Sequence, residues 1–339
     1  MPKKHTLTRG RQAFLDYYTK LLPQFDTPEK LNAYLTTKNP QVILVSPIHE
    51  SQISGLWHKS GLDWSPLPWF PHTLVWPKNV LPGTSLPGFR EGWLYPLNPS
   101  SLLPVLAMQP QPGQSILDAA AAPGGKTLAI LNFLYPKPVS LIANDVSLPR
   151  FKRLRTVLKR FGFPEVVTAR HPIQALPHIL TAGSFDKILL DAPCSSEKHV
   201  YNSKRHLKIW SENRITTLAH LQKLLVDSLL PLLKPGGTLV YSTCALAPQE
   251  NEGVVEYTLS RHPELKFLPL SLPTTYNPPP IPTPCLSLHS KSLILRLSSS
   301  CQHQSPHFLY PALFQRPGTF IHRRPGCPHI IHEHYVCGN

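Results

Sequence analysis

The amino-acid sequence predicts an α/β protein with a Rossmann-like, mostly parallel and doubly wound sheet, behind a small helical and loop-rich N-terminal region. Three observations support this prediction. From about residue 100, strand-like runs alternate with helical runs, as in βαβ units. Several strand-like runs end in aspartate or cysteine, at the strand ends where such sheets bind ligands. The residues before this point lack the alternation.

The N-terminal region is expected to contain two helices followed by loops. Apolar residues in "RQAFLDYYTKLL" recur with helical spacing, and "DTPEKLNAYL" offers Thr27 as an N-cap with Pro28 at the first helical position. Residues 38–96 are loop-rich and contain five of the six tryptophans. Large aromatic residues commonly pin long loops to a core, although stacking on nucleic-acid bases is an alternative.

The alternating part of the chain supplies the elements of the main sheet. Helices are predicted at "SSLLPVLAM", "GGKTLAILNFL", "LPRFKRLRTVLKRFG" and "NRITTLAHLQKLLVDSLLPLL". Strands are predicted at "QSILDAA", "VSLIAND", "EVVTAR", "FDKILLDAP" and "GTLVYSTC". Their order along the chain favours a mostly parallel sheet covered by helices on both faces.

Composition limits the partners and the compartment. The 339 residues include 34 Lys and Arg against 19 Asp and Glu, a formal charge of +15 that favours a polyanionic partner. No window has the roughly 18 uninterrupted apolar residues of a membrane span, so no membrane partner is expected. Six cysteines in so long a chain indicate thiols in a reducing compartment. Little sequence precedes "FLDYY", which favours the cytoplasm over the mitochondrion, the alternative location.

A glycine-rich turn and a second acid predict the cofactor. In "LDAAAAPGGKT" a strand ends at Asp118, and Gly124 and Gly125 let a ligand approach the backbone before a helix begins near Lys126. The turn matches neither phosphate-binding glycine motif. Asp145 follows the next strand, where dinucleotide-binding folds hold ribose hydroxyls. The combination indicates a nucleoside with an amino-acid tail, and S-adenosylmethionine is such a molecule.

Two cysteines after two strands indicate pyrimidine chemistry. Cys194 lies in "LDAPCSS" and Cys244 in "YSTCALA". Methylation of carbon 5 of a pyrimidine requires a thiolate to add at carbon 6 while an acid contacts the ring at N3. Asp191 can supply the ring contact and either cysteine the thiolate, the other being an inert buried thiol in the simplest scheme. The residues alone leave this choice open.

The chain resembles the Sun/Fmu family of RNA 5-methylcytosine methyltransferases, also called RsmB-like or Nop/Sun-domain proteins, and in particular its mitochondrial Sun-domain branch. The resemblance covers about residues 93–257. It is carried by the segments "SSLLPVLAMQPQPGQSILDAAAAPGGKTLAI", "ANDVSLPRFKRL", "FDKILLDAPCSSEKH" and "LLKPGGTLVYSTCALAPQENEGVV". It implies a class I methyltransferase fold, S-adenosylmethionine as cofactor and RNA, either rRNA or tRNA, as substrate.

The resemblance also implies roles for individual residues. It makes Cys244 the nucleophile, gives Cys194 a part in releasing the product, and makes Asp191 the acid that contacts cytosine. The turn would hold the methionine end of the cofactor, and Asp145 its ribose. The implied cofactor-binding residues are Ala122, Pro123, Gly124, Gly125, Lys126, Asp145 and Asp191.

The chain departs from the family pattern in two places. His171 stands in "VVTARHPIQ" where the family usually carries an aspartate near the adenine amine, which puts cofactor affinity in question. The continuation "SSEKH" replaces a commoner "S-G-T-G" or "D-R-H", and we interpret it as tolerated. The tail "CPHIIHEHYVC" fits no standard zinc-finger spacing, so no metal site is predicted there.

These observations predict three regions and one activity. The regions are a helical and loop-rich part at 1–92, a methyltransferase domain at 93–325 and a Cys/His-rich tail at 326–339. The expected activity is methylation of carbon 5 of cytosine in RNA, with the substrate selected by the N-terminal region, a basic face or a partner protein. The alternative is an inactive RNA-binding ribosome-assembly factor with the same fold. An amino-group methyltransferase is disfavoured, because "DAPC" is not the Asp-Pro-Pro-aromatic motif expected of it.

Overall fold

The computed structural model describes residues 10–38, 41–81, 84–268 and 291–297, the last of these by backbone only. The helices of this described part are α1 (Arg11–Leu21), α2 (Pro28–Thr36), α3 (Glu50–Lys59), α4 (Leu103–Met108), α5 (Gly125–Leu134), α6 (Leu148–Phe161), α7 (Glu197–Asn202), α8 (Lys204–Lys208), α9 (Glu212–Leu229) and α10 (Glu252–Arg261).

The strands fall into two sheets. Their bounds are β1 (Val42–Val45), β2 (Ser65–Pro66), β3 (Thr73–Val75), β4 (Leu94–Leu97), β5 (Ser115–Asp118), β6 (Ser140–Asn144), β7 (Val167–Ala169), β8 (Phe185–Asp191), β9 (Leu233–Thr243), β10 (Leu265–Leu268) and β11 (Lys291–Leu297). Short 3₁₀ helices lie at Pro99–Leu102, Ile173–His178, Leu230–Leu232 and Pro248–Glu250.

The larger sheet confirms the predicted doubly wound α/β fold. Its strand order is β10-β11-β9-β8-β5-β6-β7; β9, β8, β5, β6 and β7 are parallel, and β11 pairs antiparallel with both of its neighbours, β9 and β10. One apolar cluster packs α4, α5 and α6 on one side of the sheet, and another packs α9 and α10 on the other. The chain runs from β5 outward to β7 and then returns to β8 beside β5. The carboxyl ends of β5 and β8 therefore meet at the switch point, where such folds bind ligands.

The N-terminal helices form as predicted. The Thr27 hydroxyl accepts a hydrogen bond from the N–H of Lys30, and Pro28 opens α2. Buried aromatic residues of α1 pack against Tyr201 and Trp210, beyond β8 in sequence. Helices α1 and α2 thereby pack against the segment that follows Cys194.

The loop-rich region contains a sheet that the sequence analysis did not predict. Strands β2, β3, β1 and β4 form a four-stranded antiparallel sheet in that order, and β1 pairs with β4 across a long stretch of chain. Such non-local pairing of short strands leaves little periodicity to detect. Trp57 and Trp69 are buried, and Trp93 stacks on the ring of His49. None of the five tryptophans lines the two cavities described below, which supports a packing role for them.

Two negative findings concern the described residues. None of the helices in the described ranges has the combined length and apolarity needed to cross a bilayer. Within the same ranges, no cluster of three or more His, Cys, Asp or Glu side chains is arranged to hold a metal ion. The Cys/His-rich segment at 326–339 lies outside the described residues.

Candidate active site

A cavity of about 1270 Å³ opens at the carboxyl ends of β5, β6, β8 and β9. Its wall contains the strand-end residues singled out in the sequence, because parallel strands bring their carboxyl ends to the same edge of the sheet. Among its lining residues are Lys126, Asp145, Asp191, Cys194 and Cys244.

The glycine turn is tightly packed and leads directly into the N-terminus of α5. Gly124 has a φ of +116°, a conformation that favours glycine, and it immediately precedes α5. A Cβ added at Gly125 would lie 2.9 Å from the ring of Tyr95. The first N–H groups of α5 have no intrahelical acceptor, as at any helix start. The turn therefore offers backbone donors, and it requires glycine at 125 because the Tyr95 ring packs directly against that backbone.

Asp145 lies against the turn, as the sequence predicted for a cofactor-binding acid. Its side chain is 3% exposed, its Oδ2 accepts from the N–H of Ala122 at 3.3 Å, and its Oδ1 accepts from the N–H of Ser147 at 3.0 Å. Arg150 approaches Oδ2 to 3.3 Å and also donates to the carbonyl of Ala122. Each carboxylate oxygen can accept two hydrogen bonds, so Oδ1 retains capacity for a hydroxyl donor.

Asp118 has a buried carboxyl group with an unused oxygen. Its Oδ2 accepts from the hydroxyl of Thr127 at 2.7 Å, whereas its Oδ1 has no hydrogen-bond partner among the described residues. Burial raises the pKa of Asp118 to about 7, and the hydrogen bond from Thr127 opposes this rise. Asp118 lines a smaller cavity of about 260 Å³ beside Gly125 and Lys126. An unsatisfied acceptor at this turn fits a ligand that carries N–H or ammonium donors.

Asp191 is held by a lysine and a serine. Lys126 Nζ lies 2.6 Å from Asp191 Oδ2, and the Ser242 hydroxyl donates to Asp191 Oδ1 at 2.9 Å. Burial lowers the pKa of Lys126, but the Asp191 carboxylate more than compensates and the net pKa is raised. Lys126 therefore remains a cation, and it fixes an acid that is 38% exposed to the cavity.

Cys194 and Cys244 lie side by side. Their Sγ atoms are 3.1 Å apart, and the hydroxyl of Ser196 lies 3.1 Å from Cys244 Sγ and 3.4 Å from Cys194 Sγ. Cys244 is the more exposed of the two thiols. The sequence predicts both cysteines at the ends of strands, and the tertiary structure places their sulfur atoms in direct contact.

The two thiols differ in acidity. The hydrogen bond from Cys194 lowers the pKa of Cys244, Ser196 lowers it further, and burial opposes both effects. The same hydrogen bond, together with burial, raises the pKa of Cys194. A thiolate is the reactive form of cysteine. The arrangement thus favours Cys244 as the thiolate and Cys194 as the thiol that donates to it, a choice that the residues alone left open.

The outer wall of the cavity carries positive charge. It is formed by the end of α2 and by α7, which place Lys38, Lys198, His199 and Asn202 around the opening. The Lys198 ammonium lies 5.3 Å from the centre of the Tyr34 ring. We call the two lysines, Lys38 and Lys198, the cationic rim; His199 and Asn202 are polar neighbours. The rim is the part of the site that an anionic backbone would meet first.

The chain matches the family model of the 16S rRNA methyltransferases RsmB/F over residues 105–278, just over half of its length. It belongs to this family. A ribosomal RNA small subunit methyltransferase B from Salmonella arizonae is 38% identical over 216 residues, which are 62% of this chain and 48% of that relative. The chain therefore spans about half the length of this curated relative.

Solved structures of the family's fold are also similar. A methyltransferase homologue protein from Pyrococcus horikoshii is 28% identical with a TM-score of 0.64, covering 83% of this chain and 92% of that one. NSun6 from Pyrococcus horikoshii, solved with SFG, has a TM-score of 0.68 at 21% identity and covers 85% of this chain and 98% of that one. The predicted family and the class I methyltransferase fold are confirmed, whereas the mitochondrial branch stays a prediction.

The structure also places residues that the sequence analysis passed over. Ser196 and Ser242 contact Cys244 and Asp191 directly, yet serines at strand ends are too common to attract notice. The exposed His171 is held through its backbone, which donates to Asn144 Oδ1 and accepts from Asn144 Nδ2, both at 3.0 Å. Its ring is not among the cavity-lining groups, whereas Pro172 and Ile173 are.

Proposed function

We propose that this chain transfers a methyl group from S-adenosylmethionine to carbon 5 of a cytosine in RNA, by way of a covalent bond between Cys244 and carbon 6 of the base. One observation carries the proposal. Two adjacent cysteine thiols and a carboxylate fixed by a lysine line the same cavity, beside the glycine turn. Membership of a methyltransferase family supports it.

The cofactor would be held by residues of the turn and its neighbours. Residues 122–126 and the start of α5 would bind the methionine end, with Asp118 Oδ1 as a further acceptor, and Asp145 would bind the ribose. The bound cofactor supplies an electrophilic methyl group. The relative NSun6 was solved with SFG, an S-adenosylmethionine analogue, which supports a site of this kind in the fold.

The protein's own groups would prepare the base for attack. The Cys244 thiolate adds to carbon 6, and the electron pair of the 5,6 double bond becomes available at carbon 5. Asp191, positioned by Lys126 and Ser242, would take part in its protonated form: its proton moves toward N3 of the ring and neutralises the negative charge that develops there as sulfur adds. Carbon 5 thereby becomes the nucleophile that takes the methyl group.

Release requires the reverse of the first step. The hydrogen on carbon 5 leaves as a proton to a base, the double bond re-forms, and the bond from carbon 6 to Cys244 breaks with the electron pair returning to sulfur. Cys194, whose Sγ is 3.1 Å from that sulfur, lies beside the leaving group. This position is consistent with a part for Cys194 in product release.

The substrate is proposed to be RNA with an unpaired or flipped cytosine, because a stacked base hides the face that a thiolate attacks. The cationic rim lies at the mouth of the cavity, where the flanking phosphates would pass. Relatives named for rRNA favour an rRNA substrate over tRNA. A partner protein that selects the site, and a cytoplasmic location, remain predictions.

The test is methyl transfer from cofactor with a labelled methyl group to unmodified RNA, with the products separated on denaturing gels. The native protein should produce labelled 5-methylcytosine. Cys244→Ala should abolish both methylation and any protein–RNA adduct, whereas Cys194→Ala should accumulate a denaturant-resistant adduct. A native protein that binds RNA without labelling any cytosine would sink the proposal and favour an inactive assembly factor.

A further inference from the structure

Behind the two cysteines, a buried cluster joins two carboxyl groups through one serine. Glu197 and Glu250 are both fully buried, and Ser195 is 2% exposed. The Ser195 hydroxyl lies within hydrogen-bond distance of Glu197 Oε1 and of Glu250 Oε1. The mechanism above uses none of these three residues.

The remaining donors are distributed unequally between the two carboxyl groups. Glu197 accepts from the Tyr18 hydroxyl on Oε1 at 2.6 Å and from the N–H of Leu246 on Oε2 at 2.9 Å. Glu250 accepts from the N–H of Ser195 and from Gln222 Nε2, at 3.0 and 2.8 Å, and both bonds end on Oε2. Among the residues that the structure describes, Oε1 of Glu250 therefore has the Ser195 hydroxyl as its one hydrogen-bond partner.

A count of hydrogens assigns a proton to the cluster. A serine hydroxyl has one hydrogen and can donate it to only one of the two carboxyl oxygens that it contacts. We infer that Glu250 is protonated on Oε1 and donates to Ser195, which in turn donates to an ionised Glu197. The pair thus shares a single proton and carries one negative charge instead of two.

Electrostatics point in the same direction. Burial, reinforced by the Glu197 carboxylate, raises the pKa of Glu250 to about 7. The titratable groups that face the pair from the surrounding elements are Tyr17 and Tyr18 of α1, Tyr241 of β9, and the thiol of Cys244.

Glu197 and Glu250 connect the loop that contains Cys194 to the loop that contains Cys244. Glu197 follows Cys194 in sequence but binds the N–H of Leu246, two residues beyond Cys244. Glu250 follows Cys244 but binds the N–H of Ser195, adjacent to Cys194. Each loop therefore supplies the carboxyl group that anchors the other. Glu197 and Glu250 are positioning residues that keep the two sulfur atoms side by side.

Two glutamine variants test this inference, because the assigned proton makes them unequal. In Glu250→Gln, the amide N–H₂ replaces the carboxyl hydrogen toward Ser195, and the amide oxygen keeps both bonds of Oε2. In Glu197→Gln, an amide N–H₂ turned toward Leu246 sets donor against donor, and one turned toward Tyr18 and Ser195 leaves the Tyr18 hydroxyl hydrogen without its carboxylate acceptor. Glu250→Gln should therefore keep the two loops in place, whereas Glu197→Gln should displace them.

The first measurement is thermal unfolding of the native protein and of Glu250→Gln at about pH 6 and about pH 8.5. A group with a raised folded-state pKa loses its stabilising contribution as pH rises through that value. The native melting temperature should fall by roughly 5 °C more than that of Glu250→Gln over this interval. Equal falls in the two proteins would overturn the assignment of the proton.

The second measurement is the rate of Cys244 alkylation by iodoacetamide, resolved by peptide mass spectrometry. Glu250→Gln should keep the native rate within roughly twofold, while Glu197→Gln should change it by roughly fivefold or more if it folds. A change in Glu250→Gln as large as that in Glu197→Gln would refute the positioning role. The consequence for catalysis rests on the proposed function, but neither readout depends on methyl transfer.

Discussion

The Sγ atoms of Cys194 and Cys244 lie 3.1 Å apart although 50 residues separate them in the chain. Strands β8 and β9 are parallel neighbours, and each cysteine follows the carboxyl end of its strand. The sheet therefore holds the two thiols closer than two unbonded sulfur atoms usually lie. Reactivity, acidity and redox behaviour of the site should all depend on this contact.

The first prediction concerns oxidation of the pair. A disulfide bond is about 2.05 Å long, so closure from the present distance needs a small movement. Diamide, which accepts the two hydrogens, should protect Cys244 of the native protein from later alkylation, and dithiothreitol should restore its labelling. Cys194→Ala is the matched control and should not be protected. Equal protection of Cys244 in that variant would show that another thiol is the partner.

The second prediction concerns the acidity of Cys244. Because the hydrogen bond from Cys194 lowers the pKa of Cys244, the thiolate persists to lower pH than in an ordinary cysteine. Removing the donor in Cys194→Ala should move the pH–rate curve for alkylation of Cys244 to higher pH. Cys194→Ser, which retains a donor, should lie between the native protein and the alanine variant. An unchanged curve in Cys194→Ala would contradict this account.

The third prediction concerns the ion pair of Lys126 and Asp191. Asp191→Asn leaves a cation without its partner and should cost about 1–2 kcal/mol of stability, a figure reduced for the partial exposure of Asp191. It should also lower methyl transfer by about two orders of magnitude or more. Adding Lys126→Met should restore much of the stability but none of the activity. Urea unfolding and single-turnover assays measure the two effects.

In this double-variant cycle, recovery of activity together with stability would mean that Asp191 serves only to neutralise Lys126. Failure to recover stability would mean that the contact of Asp191 with Ser242 is the more important one.

The fourth prediction concerns the cationic rim. Lys38→Glu should weaken RNA binding uniformly across sequences and make the dependence of log affinity on log salt shallower by about one phosphate contact. Lys59→Glu on α3 makes the same charge change away from the cavity lining and is the control. Filter binding over a salt series measures both. Equal losses for the two variants would indicate only a nonspecific effect of net charge.

Much of the fold followed from local sequence features. The main strands and helices, the glycine turn before α5 and the N-cap at Thr27 were predicted from periodicity, turn residues and capping, because each depends on residues close together in the chain. The strand-end residues were found for the same reason. In a parallel sheet, residues at carboxyl ends share one edge, so Asp145, Asp191, Cys194 and Cys244 were expected in one place.

The antiparallel sheet of β1 to β4 was missed because its pairing is non-local and its strands are short. The sequence by itself therefore determined the order of the elements and the kinds of chemical group at the strand ends. Only the tertiary structure decided how those groups pair: that Cys194 contacts Cys244, that Lys126 fixes Asp191, and that Glu197 and Glu250 meet at Ser195. Hydrogen bonds and pKa shifts depend on distances of a few ångströms between segments far apart in the chain, and no local pattern encodes those distances.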